Sequence, residues 1–243
     1  RPMGKTEGHG WWPYIGPYLA FMITGEIGLR LPEAAAPAML FLKPGVTAAV
    51  LVYFWRRGAY PELRGYRASA NWWGADFLVG VALAALWVLP YLFFPSIRPA
   101  DVQTGFNPEL LGAGLVPLTL AVRMAGYALV TPVFEELFMR SFVIRMAEVW
   151  GQGGDFRNVA IGHYTRASFI AVIVIFTIAH LPWEYWVMVP WAVLSTLWLY
   201  HRKHLMAVIV LHGATNGSIL LFVIVTGGSI RVDGGSLPLW FFI

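Results

Sequence analysis

The chain has 243 residues, of which 58% are hydrophobic and only 12% charged, with a mean hydropathy of +0.63. A soluble domain carries about 25% charged residues; half that share, together with 16% aromatics, points to a membrane protein. The lack of cysteine excludes a disulfide framework and a thiolate metal site, and the net charge of +4 is read by where the basic residues fall relative to the spans, not as a sign of nucleic-acid binding.

A bilayer-crossing helix needs roughly 20 apolar residues. Spans are predicted at about 11–30, 36–55 and 76–95. A long apolar stretch covers 111–147, and further spans follow at about 166–182, 185–200 and 205–226. The apolar end at 237–243 is expected to begin or touch another. The expected fold is an all-α polytopic membrane helix bundle with about seven to eight transmembrane helices, forming one integral membrane domain over 1–243. As a single helix, 111–147 would be roughly 55 Å long. Pro132 is expected to kink it, and the part after Phe134 to tilt or run along the interface. The run GQGGDFRN at 151–158 reads as the clearest flexible connection.

Many tryptophans, among them Trp11, Trp12, Trp55, Trp72, Trp73, Trp150 and Trp183, lie near span ends. The ring is apolar and its N–H needs a partner, which suits the membrane interface. Basic residues alternate between the two sides. One side collects Arg1, Lys5, Arg56, Arg57, Arg64, Arg67, Arg145, Arg157, Arg166, Arg202 and Lys203; the other holds Arg30, Arg98 and Arg231. The excess places the N-terminus and the loops near 60, 155 and 202 in the cytoplasm. The first residues lack the apolar core and small-residue site of a cleavable signal, so none is expected there. The expected location is a prokaryotic cytoplasmic membrane.

Charges inside a bilayer cost several kcal/mol, so they face the bundle interior and are functional candidates. Those singled out in or beside apolar segments are Glu26, Arg123, Glu135, Glu136, Arg140, His180, His212 and Asn216. Glu136 and Arg140 are helical neighbours in the order that favours an ion pair. Glu135 lies about 100° round the helix and keeps no local cation, which leaves a carboxylate available to take a proton from water. Phe176 and His180 share one face of their helix, as do His212 and Asn216 of theirs. Gly213 and Gly217 form a GxxxG that admits a close helix neighbour. One carboxylate, two imidazoles and an amide from separate helices are a set that can deprotonate water and stabilise the oxyanion of a tetrahedral intermediate. Their depths disagree on this topology: His180 falls on the outer half of its helix and Glu135 toward the cytoplasmic end of its own. Glu26 and Arg123 are read as pairing with each other or shaping the cavity, and Glu184 as an entrance residue or an ordinary loop carboxylate. His9, His163, His201 and His204 read as ordinary loop or interface residues.

The blocks Glu135-Glu136-Leu137-Phe138-Met139-Arg140, Phe176-Thr177-Ile178-Ala179-His180 and His212-Gly213-Ala214-Thr215-Asn216 together resemble the EExxxR, FxxxH and HxxxN pattern of the CAAX protease and bacteriocin-processing family of intramembrane proteases, also called the Abi family. The resemblance covers roughly 111–226, with 44 residues between Glu135 and His180. It implies an endopeptidase site opening toward the cytoplasm. Glu135 would be the base on water, His180 its partner, His212 and Asn216 the oxyanion holders, and Glu136 and Arg140 supports. The substrate implied is a membrane-associated protein or peptide, with the lipid bilayer as surroundings and no nucleic acid. No cofactor is required on this reading. A divalent metal such as zinc remains an alternative, with Glu135, His180 and His212 as ligands, although no HExxH is present. Rival readings are a non-proteolytic scaffold or bacteriocin-immunity-type protein of the same fold, and a haem or transport protein with His180 and His212 as axial ligands.

Overall fold

The computed structural model describes residues 10–232 and 234–243; Arg1, Lys5 and His9 lie outside the described residues. Seven α-helices are present among these residues: α1 (Trp12–Arg30), α2 (Ala36–Arg56), α3 (Ala70–Phe93), α4 (Ala113–Val149), α5 (Arg166–Ile178), α6 (Tyr185–Arg202) and α7 (Leu205–Val225). A hairpin follows, in which β1 (Ser229–Val232) pairs antiparallel with β2 (Gly235–Pro238) and Ile230 faces Leu237. The apolar end is therefore a strand end and a 3-10 turn at Trp240–Phe242, not a further span. Its Phe241 and Phe242 pack on Tyr91 of α3 instead.

The segments Glu33–Arg56, Ala70–Phe93, Ala113–Val149 and Leu205–Val225 are long and apolar enough to cross a membrane, while α5 has only 13 residues. The outside of the bundle is apolar: Leu29, Leu78, Leu129 and Val225 are 84%, 66%, 67% and 77% exposed. Such a surface is unfavourable in water at about 25 cal/mol per Å² and is matched by lipid. The chain is an integral membrane protein. Trp11, Trp12, Trp55, Trp72, Trp73 and Trp150 are exposed at helix ends, as interfacial anchors should be.

The centre is α7, with Leu205, Val208, Leu211, Ile219 and Leu220 buried. Two glycines let its neighbours come close. A Cβ on Gly80 of α3 would collide with the Leu211 carbonyl and Ala214, and one on Gly213 would lie 2.7 Å from the Ala128 carbonyl of α4. The GxxxG thus serves the α4–α7 contact, with Gly217 against Ala128 and Met124.

Helix α4 is continuous over 113–149 but contains two π-helical segments, Ala125–Val130 and Leu137–Val143, flanking Pro132 and Glu135. Pro132 has no N–H to give back to the preceding turn, and a widened turn is one way a helix accommodates that loss. The part beyond Phe134 is packed against protein. Leu137, Met139, Arg140, Ser141, Phe142 and Val143 are all buried, because α1 and the connection after α4 cover them: Tyr14 and Tyr18 pack on Phe142 and Phe138, and Phe156 packs on Phe142.

The connection at 151–158 is also anchored. Phe156 is buried, and Asp155 accepts from the Arg157 backbone N–H and its guanidinium. That hydrogen bonding holds the Asp155 carboxyl below its ordinary pKa. Helix α5 starts at a capping box in which Thr165 and Ser168 satisfy each other's backbone N–H. His204 caps α7 by accepting from the Met206 N–H, a structural use of a loop histidine.

Candidate active site

Glu136 and Arg140 form the ion pair expected of them, at 3.1 Å, with both side chains fully buried. A buried pair needs further partners to offset its desolvation. Arg140 donates to Ser195 Oγ of α6 at 2.6 Å and lies over the faces of Phe176 and Trp191, 4.3 and 5.4 Å from the ring centroids. Ser195 in turn donates to the Trp191 carbonyl. The phenylalanine of FxxxH is thus a platform for the arginine as well as packing.

Glu136 has a second partner that its spacing to Arg140 does not reveal. Its Oε1 lies 2.8 Å from His212 Nδ1. A carboxylate paired with arginine only accepts, so Nδ1 carries the proton. The other ring nitrogen, Nε2, faces Glu135 Oε2 at 3.8 Å. His212 is further held by Trp191, edge to face at 4.8 Å between centroids. His180 is fixed in the same manner: its Nδ1 is 2.9 Å from the Phe176 carbonyl, an obligate acceptor, so Nδ1 donates. Its ring packs between Phe176 and Trp87. Asn216 Nδ2 donates to the Tyr127 carbonyl at 2.8 Å, inside the first π segment of α4.

Glu135, His180, His212 and Asn216 all line one cavity of about 480 Å³. The mismatch in depth disappears in three dimensions. Helix α5 ends at Ile178, so His180 sits in the turn beyond it. Gly213 against the Ala128 carbonyl sets α7 level with α4 and brings His212 beside Glu135 and Glu136. Among the described residues, no three His, Cys, Asp or Glu side chains are grouped closely enough to hold a metal ion.

Other expectations change. Glu26 pairs with Arg30, at 2.6 Å on the exposed face of α1, not with Arg123. The nearer i,i+4 partner wins. Arg123 lines the cavity, as do Lys43 and Glu184. Asp76 of α3 is fully buried and accepts from Arg202, Trp198 and Tyr66, tying α3 to α6. Lys43 and Asp76 were legible as charges within apolar runs; Ser195 carries no such signal.

Besides α4 and α7, the cavity is lined by α1, the first half of α2, the last part of α3, the end of α5, the α5–α6 turn, the first half of α6 and the Phe241–Ile243 segment. That end of the bundle carries Arg30, Arg98 and Arg231, while the arginine-rich connections lie at the other end. The cavity thus lies toward the end of the bundle away from the arginine-rich connections.

An all-helical membrane bundle that keeps carboxylates and oriented imidazoles around an interior cavity defines a class: polytopic membrane proteins with a buried polar site. Within it, residues 117–218 match the family described as Rce1-like, Type II CAAX prenyl endopeptidase. The match takes in all three motif blocks and bears out the resemblance read from them, and it supports a CAAX-type intramembrane protease in general. No curated protein and no solved structure matches the chain.

Proposed function

We propose that the cavity is the active site of an intramembrane endopeptidase, in which Glu135 activates a water that attacks a peptide bond of a membrane-associated protein or peptide. The observation that carries this reading is the 3.8 Å separation of Glu135 Oε2 and His212 Nε2 at the cavity wall. That gap is too long for a direct hydrogen bond. A water about 2.8 Å from each atom fits it, with an angle of about 85° at its oxygen. Glu135 takes one proton of this water as the oxygen bonds to the substrate carbonyl carbon. The carbonyl electrons move to its oxygen, giving a tetrahedral oxyanion. The oxyanion then collapses, the C–N bond breaks, and the proton held by Glu135 goes to the departing amine.

His212 acts through Nε2. Its Nδ1–H is held by Glu136, which Arg140 anchors, so the ring cannot turn away and Nε2 accepts the second hydrogen of the water. Asn216 keeps one amide hydrogen on the Tyr127 carbonyl and has a second for the oxyanion. His180, with its Nδ1–H held by the Phe176 carbonyl, lines the same cavity. No metal is assigned a role. The matched family's description suggests substrates of the CAAX type, which end in a prenylated cysteine followed by three residues.

The test compares new peptide termini in native-host membranes carrying wild type or Glu135→Gln at matched expression, together with cleavage of a farnesylated peptide ending Cys-Val-Ile-Met. Termini and cleavage seen only with wild type are expected. Identical profiles with no cleavage would favour a non-proteolytic scaffold.

A further inference from the structure

One end of the cavity is walled by a segment that none of the three motif blocks contains. Phe241, Phe242 and Ile243, which follow the hairpin after α7, line the cavity at the end where α3 and α7 finish and α6 begins. Phe241 and Phe242 are buried. Their rings pack on each other at 4.2 Å between centroids and on Tyr91 of α3, and Phe241 also packs on Trp183 of the α5–α6 turn. On the α4 side, two side chains hold the backbone of the segment. The Arg123 guanidinium donates to the Ile243 carbonyl at 2.7 Å, and the Tyr127 hydroxyl donates to the Phe242 carbonyl at 3.4 Å. The segment therefore bridges α3, α4 and the α5–α6 turn across the end of the cavity.

A second layer presses on it from the far side. The Phe106 N–H donates to the Trp240 carbonyl at 3.1 Å, and the Phe106 ring packs on Trp240. A Cβ on Gly105 would collide with the Trp240 backbone, and one on Gly228 with the Trp240 ring. Glycine at both contacts lets the connection at 94–112 and the turn after α7 close over Trp240. Arg123 is the part of this wall that packing does not explain. A cation at the edge of an apolar cavity costs more than an apolar residue would, and its Nε is buried without a hydrogen bond. What the charge supplies is a stronger bond to one carbonyl of the segment. The Phe106 and Tyr127 rings, at 5.2 and 5.4 Å, help to hold the guanidinium there.

We propose that Phe241–Ile243 is a plug that closes this end of the cavity to water, and that Arg123 is a positioning residue that keeps the plug shut through the Ile243 carbonyl. The proposal goes beyond the endopeptidase reading and does not depend on it. A closed end keeps bulk water from the space that Glu135 and His212 line, and excluding bulk water strengthens the polar interactions inside.

The test uses the chain's lack of cysteine. Ile219→Cys places a single thiol on the cavity wall, and Gln103→Cys places a reference thiol on an exposed connection. Each protein, in nanodiscs, is reacted with two membrane-impermeant methanethiosulfonates, one carrying trimethylammonium and one carrying sulfonate. Rates are normalised to those of neutral N-ethylmaleimide. The cavity thiol is expected to react about a hundred-fold more slowly than the reference with both reagents. Losing a charge-assisted hydrogen bond shifts an opening equilibrium by about ten-fold or more, so adding Arg123→Gln should raise both rates by about that factor. Phe241→Ala with Phe242→Ala should do the same without changing any charge, whereas Arg123→Lys should stay near the parent rate. The proposal is overturned if the parent's cavity thiol reacts as fast as the reference, or if both variants keep the parent rate. It is equally overturned if Arg123→Gln speeds the cationic reagent alone, which is an effect of charge and not of closure. Thermal unfolding in the same nanodiscs identifies a variant that has lost its fold, and the other then decides.

Discussion

Arg140→Met is the perturbation that most directly separates structure from chemistry at this site. The guanidinium is fully buried, 3.1 Å from Glu136 Oε1 and 2.6 Å from Ser195 Oγ. At an effective dielectric near 20, the attraction to Glu136 is about 5 kcal/mol, set against the cost of taking both charges out of water. Removing the arginine alone leaves the Glu136 carboxylate uncompensated in the core, and stability should fall by about 3–5 kcal/mol. Removing both charges, as Arg140→Met with Glu136→Leu, should return the fold to within about 1 kcal/mol of wild type, because the desolvation cost leaves with the pair. Cleavage should not return, since His212 has lost the acceptor that orients its Nδ1–H. The measurement is a double-mutant cycle of unfolding by SDS in mixed micelles, with peptide cleavage followed in parallel. Single variants as stable as wild type, or a double variant that loses the sum of the two, would refute the reasoning.

The glycines of α7 should respond unequally. A Cβ at Gly213 would lie 2.7 Å from the Ala128 carbonyl, whereas one at Gly217 would meet Ala128 at an ordinary 3.5 Å. Gly213→Val is therefore expected to cost about 1–3 kcal/mol and to lower cleavage by moving His212 from Glu135, while Gly217→Ala is tolerated; thermal unfolding in detergent and cleavage rates check both. Chelation of divalent metal is expected to leave cleavage unchanged, because water activation is assigned to Glu135 and the imidazoles. Activity lost on chelation and restored by zinc would transfer Glu135, His180 and His212 to the role of ligands.

Much of the candidate site was legible in the chain because its spacings are helical. Glu136 and Arg140 were readable as a pair, and their pairing is seen. The order of three polar blocks on separate apolar helices carried the family resemblance, and the family match over 117–218 agrees with it. Hydropathy located seven helices, since an apolar run of that length has few alternatives in lipid, although α3 begins at Ala70 and not near 76. It misread the apolar end at 237–243, where aromatic packing on Tyr91 and a strand pairing take the residues that composition alone would send into the bilayer. Hydropathy also did not reveal that the apolar residues in the second half of α4 are buried against protein.

What the sequence alone determined is periodic and local: which segments are helices, which carry polar groups, and which neighbours on one helix face pair. Only the tertiary structure decided the contacts between helices. The hydrogen bond from His212 to Glu136 spans 76 positions and that from Arg140 to Ser195 spans 55. No periodicity encodes such pairs, because they depend on how closely two helices approach and at what level. Gly213 against the Ala128 carbonyl sets both for α4 and α7. A glycine in a sequence records only that something can come near; the fold supplies what does.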